Sequence, residues 1–147
     1  MTFRTRLALG LSGLIASSAA FGLAFAATAS ASKPVDSRVF ELRTYVTHPG
    51  RLDALNKRFR EHTTELFKKH GMENVGYWTP QEEKDGKKDT LVYILAHKSR
   101  DAAKASWAAF SADPDWAKAR DASEKDGKIV AKVTSVFLDP TDYSAIK

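Results

Sequence analysis

The sequence predicts an α+β fold of the ferredoxin-like kind, a four-stranded antiparallel sheet with helices on one face in the order β-α-β-β-α-β. Three observations predict it. Residues 38–46 and 90–97 are apolar-rich runs of strand length, and an amphipathic helical repeat (51–70) and a short β-prone segment (72–80) lie between them. A helix–turn–helix pattern over 99–127 then leads into a last strand at 129–138, so a strand–helix–strand unit occurs twice. Right-handed crossovers fold two such units into one sheet with its helices on one side.

The first strand reads VFELRTYV, and its alternation places Val39, Glu41, Arg43 and Tyr45 on one side and Phe40, Leu42, Thr44 and Val46 on the other. The second set reads as the core face. His48-Pro49-Gly50 turns the chain into the first helix, with Pro49 close to a position where its missing N–H is harmless. Leu52, Leu55, Phe59, Leu66 and Phe67 form that helix's apolar stripe, His62 and Thr63 fill a gap in it, and Gly71 ends it.

Met72 to Pro80 forms the second strand, and the charged loop QEEKDGKKD joins it to TLVYILAH as a hairpin. Ser99 and Asp113 are expected to cap the next two helices, the second opening on Pro114. The third strand is apolar on both sides and the fourth nearly so. Something must therefore cover the face turned away from the helices, most economically a second copy of the chain.

The two ends are different in kind. MTFRTR is followed by a long uncharged apolar run and small residues through Ala31, the pattern of a secretory signal peptide over 1–31, with a retained membrane anchor as the alternative. Residues 32–37 read as a flexible lead-in, 38–140 as the folded domain and 141–147 as a tail. Export would make localisation periplasmic or secreted, with membrane contact only transient through the signal. The signal carries Arg4, Arg6 and no acid, so its removal lowers the net charge from +5 to +3, which does not point to a nucleic-acid partner. The chain has no cysteine, so its stability comes from burial without disulfides.

ELRTYVTHPG, the amphipathic helix, GYWTP and LVYILAHKSRDAAKASWAAFSADPDW together resemble the NIPSNAP family over nearly the whole domain. The resemblance implies a dimeric α+β barrel, in which two ferredoxin-like sheets pack face to face, and it implies no agreed enzymatic activity. Families that share the barrel include cofactor-independent monooxygenases and haem-degrading enzymes, a likeness of fold alone.

In such a barrel the face bearing Glu41 and Arg43 would line the interior between the sheets. One expectation is a structural ion pair between Glu41 and Lys132 of the last strand. Another is a cleft in which Arg43, Tyr45, His62, Tyr77, Trp78 and Tyr93 bind a small aromatic or anionic molecule. The four histidines lack ligand spacing on any one face, so no metal site is expected, and no cofactor motif or catalytic triad is evident. The sequence therefore points to a homodimeric binding or interaction module with no assigned catalytic residue. The alternative is a cofactor-independent, monooxygenase-like enzyme acting on a small aromatic compound, which would need a buried acid–base group beside an enclosed pocket.

Overall fold

The computed structural model describes residues 38–147, so the expected signal segment and lead-in lie outside the described residues. The chain runs through β1 (Val39–Thr47), α1 (Leu52–Arg58), a π-helical turn (Phe59–Thr63), α2 (Thr64–Lys69), β2 (Glu73–Trp78), β3 (Thr90–His97), α3 (Arg100–Ala112), α4 (Pro114–Ser123) and β4 (Val130–Leu138). The strands form one antiparallel sheet in the order β2-β3-β1-β4, the ferredoxin-like arrangement that the sequence predicts.

Local chemistry accounts for the element ends. The Ser99 hydroxyl accepts the Ala102 N–H and caps α3, and the Asp113 carboxylate accepts the Asp115 N–H and caps α4, which opens on Pro114. Asp113 also holds His70 at 2.6 Å and Lys69 at 2.8 Å, tying the end of α2 to the start of α4. Gly71 adopts φ +75°, a conformation that glycine adopts without steric cost at the end of a helix.

The expected single helix over 51–70 is interrupted. Its apolar positions Leu55, Phe59, Thr63 and Phe67 are each four residues apart, and an uninterrupted α-helix would rotate such a row steadily off the core. The wider π turn compensates for that drift, leaving Thr63 buried, with its hydroxyl donating to the Arg58 carbonyl at 3.3 Å. His62 consequently faces outward and is half exposed.

The core lies between the helices and one face of the sheet. Leu91, Tyr93 and Leu95 of β3 meet Leu55, Phe59 and Phe67, and Phe110 and Met72 close the cluster. Burying each of these side chains contributes about 1.5–3 kcal/mol. By strand register, Tyr93 is level with Arg43 and Leu95 with Glu41, so the side of β1 that faces the helices carries Glu41, Arg43 and Tyr45. This reverses the expected faces. Phe40, Leu42, Thr44 and Val46 look away from the helices, because the polar groups of the other side find partners on α3, β3 and β4.

Candidate functional site: a buried carboxylate hub and an open apolar face

Glu41 is 1% exposed and organises the buried end of the sheet. Its Oε1 accepts from Arg43 Nη1 and from the Ser135 hydroxyl, both at 2.6 Å. Its Oε2 accepts from the Trp107 indole N–H at 2.7 Å and lies 3.1 Å from His97 Nε2. Burial by itself would raise the carboxyl's pKa, but the hydrogen bonds from His97, Ser135, Trp107 and Arg43 outweigh it and hold the pKa down to about 2.

Arg43 is equally engaged. Its Nε donates to the Tyr93 hydroxyl at 2.9 Å and its Nη2 to the Tyr45 hydroxyl at 3.3 Å, and its guanidinium lies 4.2 Å from the centre of the Trp107 ring. Burial works against its charge, but the Tyr93 and Tyr45 oxygens and the Glu41 carboxylate raise its pKa above the ordinary arginine value. The guanidinium fork is spent on protein groups.

The expected pair between Glu41 and Lys132 is therefore not formed. Glu41 lies opposite Phe137 on β4, whereas Lys132 lies opposite Val46, on the other face and near the other end of the strand. The expected aromatic cleft is filled by the protein itself. Tyr93 stacks on Tyr77 with ring centres 5.4 Å apart and meets Tyr45 and Phe59 edge-on, both at 5.3 Å. Burial keeps the Tyr77 and Tyr93 phenols protonated well above their ordinary pKa. His62 lies apart, in a surface cleft between the π turn and α4. Trp78 lies on the opposite face of the sheet from Tyr77.

His97, Trp107 and Ser135 were missed by the sequence reading as partners of Glu41. Strand parity carries a signal for two of them, since His97 alternates with Tyr93 and Leu95, and Ser135 with Val133 and Phe137. A shallow cleft of about 460 Å³ borders the hub, where Trp107 and Phe137 meet Arg100 and Lys104. Among the described residues no cluster of His, Asp and Glu could hold a metal ion, and no helix is long and apolar enough to cross a membrane.

The other face of the sheet is open and mostly apolar, with Thr44, Thr134 and Lys132 among its residues. Leu42 and Val46 of β1 lie beside Val92 and Ile94 of β3, all half-buried, while Val136 and Leu138 of β4 are 47% and 39% exposed. Trp78, 52% exposed, lies over Gly76 on this face, and a Cβ at Gly76 would come within 2.5 Å of its ring.

The NIPSNAP family model matches residues 40–145, which takes in nearly all of this architecture. The chain is a member of the NIPSNAP family. Solved structures agree with this assignment. A NIPSNAP family protein of unknown function from Agrobacterium tumefaciens is 25% identical, with a TM-score of 0.64 over 76% of this chain and 95% of its own. A NIPSNAP-like domain protein from Burkholderia xenovorans, 15% identical, shares the fold with a TM-score of 0.63 over 74% of this chain and 89% of its own. No curated protein matches the sequence. In this NIPSNAP chain Glu41 and Arg43 form a packed, hydrogen-bonded unit of the fold, and the opposite face of the sheet stands open.

Proposed function

We propose that this NIPSNAP protein is an exported, homodimeric binding module in which two copies close their open sheet faces on each other and hold a small molecule at that interface. The observation that carries this reading is the group of apolar side chains Leu42, Val46, Val92, Ile94, Val136 and Leu138 on one face of the sheet, interrupted by Thr44, Thr134 and Lys132, with Val136 and Leu138 left 47% and 39% exposed. The leader-like composition of residues 1–31 supports export.

The strands and helices described lie within 38–147, so residues 32–147 form the appropriate material for testing. Sedimentation equilibrium should return twice the monomer mass, and Val136→Lys should shift the equilibrium to monomer while the circular dichroism spectrum is retained. A wild-type chain that is monomeric at micromolar concentration, folded and soluble would overturn the proposal.

The enzyme alternative rests on one observation, the buried Glu41–His97 pair bordering a cleft. Four donors and a pKa of about 2 make that carboxylate a poor proton acceptor at neutral pH, which favours the binding reading.

A further inference from the structure

We propose that residues 139–147 form a flap over a distinct binding site on the open sheet face, and that this site takes an uncharged, largely hydrocarbon molecule of about two or three fused or linked rings. Phe40 supplies the first observation. It belongs to the open face, yet it is 6% exposed where its partner across the strands, Leu138, is 39% exposed. The chain after β4 turns back beside this end of the sheet, bringing Pro140, Ser144 and Ile146 to the same hollow as Phe40.

The flap does not fill the space beneath it. Phe40, Val75, Ile94 and Leu138 form the floor of a hollow of about 300 Å³, and Pro140 and Ile146 form much of its roof. The hollow is open to solvent, and since water occupies about 30 Å³ in the liquid it has room for roughly ten waters against mostly carbon walls. Its polar lining consists of Asp139, Thr141 and Ser144. The Ser144 hydroxyl is already engaged with Ile146. No lysine or arginine lines the hollow to hold an anion. The chemistry that fits is apolar and neutral.

The flap has a clasp. Arg38, immediately before β1, donates through Nε to the Lys147 main-chain oxygen at 2.8 Å and through Nη2 to the same oxygen, while its Nη1 pairs with Glu73 of β2 at 2.6 Å. Glu73 thus fixes a guanidinium whose other edge grips the flap. The contact is at the surface and partly exposed, where such pairs are weak, so the flap can release at modest cost.

This inference rests on the small-molecule half of the proposed function; the hollow shares Ile94 and Leu138 with the face proposed to pair, so binding and pairing are read out separately. The test is a fluorescence titration with N-phenyl-1-naphthylamine, a neutral apolar probe. One probe should bind per chain with a blue shift. Val75→Phe fills the hollow from the floor and Ile146→Trp from the roof, and each should weaken binding about tenfold. Arg38→Ala should speed probe dissociation about fivefold by freeing the flap. The anionic 1-anilinonaphthalene-8-sulfonate should bind about tenfold more weakly than the neutral probe.

Absence of saturable binding, unchanged affinity in both folded filling variants, or equal binding of the anion would each overturn the inference. Sedimentation of the same samples separates the two proposals. A dimer that takes up no probe removes this site and leaves the pairing intact. A monomer that binds the probe and loses it in the filling variants does the reverse.

Discussion

The Trp107 indole N–H donates to Glu41 Oε2 at 2.7 Å, and the same ring packs 4.2 Å from the Arg43 guanidinium carbon. One side chain of α3 thus engages both members of the 2.6 Å Glu41–Arg43 pair, the first as a hydrogen-bond donor and the second through its π face. An ion pair between neighbouring positions on one strand would contribute little in water. Enclosed by Trp107, His97, Tyr93 and Ser135, it becomes a unit whose members depend on one another, because removing one leaves a buried charge without its partner.

Trp107→Phe keeps the ring beneath Arg43 and deletes the N–H. The expected cost is about 1.5–3 kcal/mol, the range for a hydrogen bond to a charged group, seen as a lower guanidinium chloride midpoint at unchanged slope. Glu41→Gln leaves Arg43 buried without a countercharge and should cost more, about 3–5 kcal/mol. Equal effects of the two substitutions would contradict the hub.

Stability should fall on acidification through a defined window. The Glu41 carboxyl has a folded-state pKa of about 2 against an ordinary value of 4.5, so below pH 4.5 the unfolded chain takes up the proton that the folded chain refuses. The Glu41 contribution, roughly 3 kcal/mol from this shift, is complete above pH 4.5 and declines toward pH 2. Urea titrations across this range should show the decline, and Trp107→Phe should reduce its amplitude by weakening one of the donors that lower the pKa.

Arg43→Ala should destabilise the domain itself, by about 3 kcal/mol or more, as a buried carboxylate loses its countercharge. Arg43→Lys should recover little of this, because one ammonium cannot reach Tyr93, Glu41 and Tyr45 in the three directions the guanidinium serves. Thermal unfolding of both variants checks this. An Arg43→Ala protein of wild-type stability would show that Arg43 is not part of the packed unit.

Gly76→Ala should lift the Trp78 ring from the open face, since the new Cβ would lie 2.5 Å from its Cη2 atom. Trp78 is already half exposed and free to move, so the cost should stay within about 1 kcal/mol. Iodide quenching of tryptophan emission should increase. Unchanged quenching in dilute monomer would mean the ring does not rest on Gly76.

Strand lengths, helix caps and turns were legible in the sequence because local chemistry sets them. Ser99 and Asp113 cap their helices wherever those helices pack, and Gly71 turns the chain by its own backbone freedom. The β-α-β-β-α-β order followed from these elements and the handedness of their connections. Strand periodicity also established that Glu41, Arg43 and Tyr45 share one side of the first strand.

Which side met the helices was decided only in three dimensions. A period of two is unchanged when a sheet is turned over, and here both sides carry enough apolar residues to pass for a core. The decision rested on partners 56, 66 and 94 residues away, His97, Trp107 and Ser135, which satisfy a charge that sequence alone would have turned from the helices. A buried carboxylate is tolerated only where donors converge on it, and such convergence exists only once the chain has folded.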